Sequence, residues 1–202
     1  PRHGTGTAPG PKRPPDRRRY RTLPDAPVSG ARSTLVLGGA ASGKSVFAEQ
    51  LALRLGPRPV YIATAQALDG EMADKIDIHR ARRGDGWITV EEPLDLGAAI
   101  ADSDAADAVL LIDCLTLWLG NLMAAERDAE AATAQLVNAV QNMQGQSVIV
   151  ANELGLGIVP DNAVAREFRN LHGVLNQAVA AAADRVVFVA AGLPLALKGT
   201  LD

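Results

Sequence analysis

From Ser33 onward, short apolar runs alternate with longer segments in which apolar residues return every three to four positions. The runs at 34–37, 60–63, 87–90, 109–112, 147–151 and 185–190 read as strands, and the segments at 44–55, 71–82, 94–101, 115–125, 129–142 and 162–183 read as helices. Runs such as Val109-Leu110-Leu111-Ile112 are apolar on both faces rather than alternating, as in parallel strands covered by helices on either side. The pattern predicts a three-layer α/β domain with a mainly parallel sheet over residues 33–202. No internal repeat is visible, and the Ala-rich stretch 178–183 predicts close helix packing.

Residues 1–32 break this pattern. They are rich in Pro, Gly and Arg, include Arg17-Arg18-Arg19, and offer too little apolar surface to offset the entropy of ordering. They are expected to form a disordered basic tail, either a solvated extension or an arm for nucleic acid or an acidic partner. Eight of the 20 Lys/Arg and two of the 23 Asp/Glu fall within residues 1–33, so the remainder carries 12 basic against 21 acidic residues. An acidic domain lacks the clustered positive charge of a nucleic-acid groove, and no nucleic-acid partner is expected. The 202 residues, 48% of them apolar, suit one domain with an ample core. Cys114 is the single cysteine, which excludes an internal disulfide framework and suits a reducing compartment. With no stretch long and apolar enough to span a bilayer and no secretory leader pattern, the expected location is the cytoplasm.

The chemistry starts where the first strand meets the first helix. Gly38-Gly39-Ala40-Ala41-Ser42-Gly43-Lys44-Ser45 satisfies the G-x-x-x-x-G-K-S spacing of a P-loop. Glycines let the backbone fold around phosphate oxygens, the amides and helix N-terminus supply positive potential, Lys44 neutralises β/γ charge, and Ser45 is placed to ligate Mg²⁺. A carboxylate for the metal is expected at the end of a neighbouring strand, and Asp113 closes the run 109–112. Asp113 has a second reading, as the cap of the helix that begins near Leu115. Either role puts it at the carboxyl edge of the sheet.

His3, His79 and His172 are the only histidines. On a helix over 71–82, His79 shares a face with Met72, Lys75 and Ile76, and Arg82 and Arg83 follow at i+3 and i+4. Neighbouring arginines suit an imidazole that becomes phosphorylated or nucleotidylated, because they bind phosphate oxygens and favour the neutral ring. The plainer reading is a surface or capping histidine. For His172 only that plain reading is available, and Cys114 reads as a small buried residue rather than a nucleophile.

Together with the P-loop, the segments Tyr61-Ile62-Ala63-Thr64-Ala65-Gln66, Asp69-Gly70-Glu71-Met72, Ile76-Asp77-Ile78-His79-Arg80-Ala81-Arg82-Arg83, Trp87-Ile88-Thr89-Val90-Glu91-Glu92-Pro93, Asp113-Cys114-Leu115-Thr116 and Asn152-Glu153-Leu154-Gly155-Leu156-Gly157-Ile158-Val159-Pro160 resemble one family. It is the bifunctional adenosylcobinamide kinase / adenosylcobinamide-phosphate guanylyltransferase family of cobalamin biosynthesis, and the likeness runs from Leu35 to Lys198. The resemblance implies that ATP or GTP phosphorylates adenosylcobinamide, and that GTP with Mg²⁺ then transfers GMP to adenosylcobinamide phosphate through a histidine intermediate. By motif, His79 would be the nucleophile, Gly38 to Ser45 would hold the triphosphate, and Thr64, Ala65 and Gln66 would line the nucleotide. Arg80, Ala81, Arg82 and Arg83 would meet phosphates or ribose, and Glu91 and Asp113 would complete the site. Glu153 is a candidate base for the kinase step, with a loop-structural role as its alternative. Two departures stand out: the family commonly has Arg at the position of Ala41, and it lacks the basic tail. The resemblance also implies a homo-oligomer, expected as a trimer, for which the helices over 115–142 could supply an apolar interface. Two rivals remain: a small-molecule kinase in which His79 is incidental, and a non-catalytic nucleotide-sensing module.

Overall fold

The computed structural model describes residues 30–66 and 70–201, and of residues 71–76 and 79 the backbone only. The tail expected over 1–32 lies almost wholly outside the described residues. Those near its end are tied to the fold: Arg32 and Ser33 donate their backbone N–H groups to Asp184 Oδ2 at 2.8 and 2.9 Å.

The elements follow in the order β1 (Ser33–Gly38), α1 (Lys44–Leu55), β2 (Arg58–Ala63), α2 (Gly70–Arg83), β3 (Ile88–Glu91), α3 (Leu96–Ser103), β4 (Ala108–Asp113), α4 (Leu115–Ala124), α5 (Ala129–Asn142), β5 (Gln146–Asn152), α6 (Ala163–Ala182), β6 (Arg185–Ala190) and β7 (Leu193–Lys198). The described strands form one sheet in the order β3-β2-β4-β5-β1-β6-β7. All pairings are parallel except β6 with β7.

Alternate strand residues feed two cores. Leu35, Leu37, Ile62, Leu110, Ile112 and Ile149 face α3 to α6, whose Leu96, Trp118, Leu119, Leu136 and Leu175 complete the larger cluster. Val36, Tyr61, Val109, Leu111, Val148 and Val150 face α1, which contributes Phe47, Ala48, Leu51 and Ala52. The result is the expected three-layer α/β architecture. Register then brings the functional strand ends to one edge, because Gly38 pairs with Asn152, Asp113 with Ala63, and Ala63 with Glu91.

Three details depart from expectation. The third helix starts at Leu96 rather than 94, because Glu92 Oε1 accepts the amides of Leu94 and Asp95 at 2.8 Å each and turns the chain first. Strand β3 begins after Trp87, whose ring instead packs edge-on against Tyr61 at 6.2 Å. Strand β7 was not foreseen. It holds Pro194 and leaves Leu193, Leu195 and Leu197 exposed; proline is tolerated there because β7 is an edge strand.

Candidate active site

The loop between β1 and α1 is held from below by the β6–β7 hairpin. Gly192 N–H donates to Ser42 O at 2.8 Å, and Gly43, at φ 96°, would bring a Cβ to 3.1 Å from Gly192 Cα. Gly38 is hemmed in more tightly, since a Cβ there would lie 2.5 Å from Ser42 Oγ and 2.6 Å from Val189 O. Ser42 Oγ is buried without a partner. Lys44 opens α1 and donates its Nζ to Gly39 O at 3.0 Å, arching over the loop. Burial lowers its pKa, opposed by Cys114 and by Asp113. Ser45 follows in the same helical turn.

Asp113 ends β4 and accepts a hydrogen bond from the Tyr61 hydroxyl at 3.0 Å. Burial, then the Asp113 charge, pushes the Tyr61 pKa upward, so the phenol stays a donor. Thr64 ties β2 to β4: its N–H donates to Asp113 O, its Oγ1 accepts from Cys114 N–H at 2.9 Å, and the same hydroxyl donates to Cys114 O at 2.9 Å. Asn121 of α4 donates to Thr64 O at 2.8 Å and Pro93 O at 3.1 Å. The Cys114 thiol is buried, its pKa pushed up to about 11 first by desolvation and then by Asp113, which agrees with a packing role. The helix beginning at Leu115 has Cys114 rather than Asp113 at its N-cap position, and the Cys114 side chain makes no capping bond.

Ala65 and Gln66 leave the end of β2 toward this edge, Gln66 exposed. On α2, the arginines in the last turn have protein partners. Arg80 Nη2 lies 3.4 Å from Glu91 Oε1 in an exposed pair. Arg82 makes a two-pronged contact with Glu49 of α1, at 2.8 Å from Nε and 2.6 Å from Nη2. The Arg83 guanidinium lies 3.4 Å above the Tyr61 ring, with Nη1 buried and unpartnered. Ala81 is exposed beside them. The backbone of His79 lies on α2 one turn earlier; its side chain lies outside the described residues.

Glu49 is a functional candidate the sequence reading missed. The signal was present: a carboxylate four residues after Ser45, within the stripe Phe47, Ala48, Leu51 and Ala52 that buries α1. His172 needs correction as well. It was expected at the surface or at a cap, yet it is 0% exposed. Its Nε2 lies 2.9 Å from Thr116 Oγ1 and its Nδ1 3.3 Å from Asn176 Nδ2. Asn176 Nδ2 also donates to Asn152 O at 3.0 Å, which orients the amide, so Nδ1 accepts and Nε2–H donates to Thr116 Oγ1. Thr116 Oγ1 accepts from Asn152 N–H too, at 2.9 Å. This neutral network clamps α4 and α6 to the end of β5. The next residue, Glu153, donates its N–H to Gly38 O and folds its carboxylate onto the Gly155 amide, a loop-forming contact.

The edge therefore offers a phosphate cradle, a hydroxyl at Ser45, a carboxylate at Asp113 and a belt of arginines. Hydroxyl and carboxylate oxygens are the hard donors Mg²⁺ takes, and they are too few to hold it without phosphate oxygens and water. Among the described residues no cluster of three or more His, Cys, Asp or Glu forms a metal cage. A surface recess of about 470 Å³ between α3 and α5, lined by Gly97, Ile100, Gln135 and Asn138, includes none of these groups.

Residues 34–197 match the family described as cobinamide kinase / cobinamide phosphate guanyltransferase. The chain is 46% identical over 167 residues to the bifunctional adenosylcobalamin biosynthesis protein CobP of Pseudomonas aeruginosa, covering 82% of this chain and 96% of that one. It is 39% identical over 179 residues to the bifunctional adenosylcobalamin biosynthesis protein CobU of Salmonella typhimurium, covering 81% and 98%. Among solved structures, a Pyrococcus horikoshii OT3 protein aligns at TM-score 0.50 and 8% identity, over 83% of this chain and 86% of that one. The assembled ATPase EscN of enteropathogenic E. coli aligns at TM-score 0.50 and 9% identity, over 80% and 43%. These structural likenesses concern the fold alone.

Proposed function

The chain belongs to the cobinamide kinase / cobinamide phosphate guanyltransferase family, and from that premise we propose that one nucleotide site, built on the Gly38–Ser45 loop, serves both reactions, with His79 carrying GMP between them. The chain is a bifunctional kinase and guanylyltransferase of cobalamin biosynthesis. The observation that carries the finer reading is the anchoring of the last turn of α2, one turn after His79, on the P-loop helix through Arg82 and on the Asp113-bound Tyr61 through Arg83.

In the kinase step the hydroxyl of the aminopropanol arm of adenosylcobinamide attacks the γ-phosphorus of ATP or GTP. The bond to the β-phosphate oxygen breaks, the nucleoside diphosphate leaves, and the hydroxyl proton is lost. Lys44 turns from Gly39 O to the β/γ oxygens and offsets the charge that develops there. In the second step a neutral His79 nitrogen attacks the α-phosphorus of GTP, the bond to the β-phosphate oxygen breaks, and pyrophosphate departs. The imidazole sheds its other proton. A phosphate oxygen of adenosylcobinamide phosphate then attacks the same phosphorus, and as the P–N bond breaks the imidazole takes back a proton from solvent, restoring the neutral histidine and giving adenosylcobinamide-GDP. Ser45 and Asp113 would hold Mg²⁺, which when bound supplies charge neutralisation on the phosphates. Arg83, with its unpartnered Nη1, supports the reading of this turn as a phosphate or ribose contact.

The short arm of the corrinoid requires its ring to rest near the phosphates. Leu156, Ile158 and Val159, exposed at 81%, 96% and 60%, follow directly on Glu153, whose amide is bonded to Gly38 O. They form an apolar rest for the macrocycle.

The test is incubation with α-labelled GTP and Mg²⁺ without corrinoid, followed by denaturation and intact mass. Wild type should gain one acid-labile GMP and His79→Ala none. GTP binding without an adduct would sink the histidine mechanism and leave a kinase or a nucleotide sensor.

A further inference from the structure

Glu49 is a charged residue where an apolar one would be expected. It lies on the buried side of α1, 7% exposed, beside Phe47, Ala48, Leu51 and Ala52. A carboxylate in such a place is retained only if it is paired with good geometry, and both its oxygens are taken by Arg82, at 2.6 and 2.8 Å. Arg83, the next residue, stacks on Tyr61, whose hydroxyl holds Asp113. Consecutive residues of α2 thus grip the two parts of the phosphate site, the helix that begins with Lys44 and Ser45 and the strand pair that ends at Asp113.

Little else described holds α2. Among its described side chains none is buried: Ile78 is half-buried, and Asp77, Arg80 and Ala81 are exposed. Apolar contacts would let the helix slide or roll, whereas a two-pronged guanidinium–carboxylate pair fixes both its rotation and its height. The backbone of His79 precedes the anchor by about one turn, so the pair bears on where His79 is carried.

We propose that Glu49 is a positioning residue for guanylyl transfer: through its buried ion pair with Arg82 it docks the last turn of α2 on the nucleotide-binding helix and sets the approach of His79 to the α-phosphorus. The proposal rests on the reading of His79 as the nucleophile. Glu49 touches no reacting atom and acts through Arg82. Removing its charge takes from the half-buried Arg82 guanidinium the carboxylate it grips through Nε and Nη2, next to Arg83, and loosens the helix end.

The test uses the full chain as wild type, Glu49→Gln, Arg82→Gln, the double variant and His79→Ala. Three quantities are read: the rate of acid-labile GMP labelling at saturating GTP, the GTP dissociation constant, and hydrogen–deuterium exchange of amides 80–83. Glu49→Gln should label roughly 10- to 100-fold more slowly, as expected for a displaced nucleophile. It should bind GTP with unchanged affinity and exchange faster over 80–83 while the amides of α1 stay protected, the control for an intact fold. The double variant should be no slower than Arg82→Gln. Wild-type labelling by Glu49→Gln, unchanged exchange at 80–83, or a fall in GTP affinity that accounts for the slower labelling would each overturn the proposal. Labelling of His79→Ala at the wild-type rate would instead sink the nucleophile reading, and the positioning role with it; that result is separate from anything Glu49→Gln does.

Discussion

At the scale of single residues, the phosphate loop depends on two glycines for different reasons. Gly38 is irreplaceable for space, since a Cβ there would meet Ser42 Oγ and Val189 O. Gly43 is required for backbone conformation, at φ 96°, with Gly192 Cα close behind it. Gly43→Ala should therefore lower stability by about 1–2 kcal/mol, the cost of forcing an L side chain into the left-handed region, and should weaken nucleotide binding further by shifting the loop. Urea unfolding with and without GTP separates the two effects, and an unchanged midpoint would contradict the geometry. The loop motif was legible because its residue types are dictated by phosphate chemistry. Glu49 lies in the apolar stripe of α1 yet is easily passed over, because a carboxylate on a helix reads as a solvated face until the partner that buries it is known.

At the scale of elements, the β5 end is held by the hydrogen-bonded set Thr116, Asn152, His172 and Asn176, which joins β5, α4 and α6. Burial lowers the His172 pKa from its ordinary 6.5, with Glu153 pulling the other way. The unfolded chain takes up a proton near pH 6.5 that the folded protein accepts only at lower pH. Stability is thus unaffected above about pH 6.5 and declines as pH falls below it. His172→Gln should be less stable at pH 7.5 and show a flatter decline between pH 7.5 and 5.5 in urea melts; an equal decline in both would remove His172 as its source. The loop that follows β5 makes a separate prediction. Ile158→Asp should raise the KM for adenosylcobinamide phosphate about tenfold or more, since a charge replaces apolar contact, while leaving GMP labelling unchanged. A KM equal to wild type would place the corrinoid elsewhere. Strand β7 escaped the sequence reading because Leu193-Pro194-Leu195 looks like a loop, and only its pairing with β6 after the Ala191-Gly192 turn makes it a strand.

At the scale of the molecule, the helices over 115–142 had been expected to offer an apolar subunit interface, but Leu115, Trp118, Leu119, Leu122, Leu136 and Val140 are all buried in the chain's own core. Leu193, Leu195 and Leu197 of β7 are exposed, as is Leu53 of α1. No described helix is long and apolar enough to cross a membrane. Because nucleotide binds the folded loop and not the unfolded chain, GTP at 100 times its dissociation constant should stabilise the protein by about 2.7 kcal/mol. His79→Ala should keep this gain and Lys44→Met should lose it, as thermal melts over a GTP titration will show; a full gain in Lys44→Met would remove that lysine from the site. The order of strands and helices, the P-loop, Asp113 at a strand end and His79 among arginines all followed from the sequence alone. They depend on periodicity and on residue types that a given chemistry demands, which are local properties. Only the tertiary structure decided that Arg82 and Arg83 clasp Glu49 and Tyr61, that His172 is buried and neutral, and that a seventh strand supports the phosphate loop. The pairs Arg83 with Tyr61, Arg82 with Glu49, His172 with Thr116 and Gly192 with Ser42 all join residues far apart along the chain, and burial, which sets the strength of a charge pair, has no local signature.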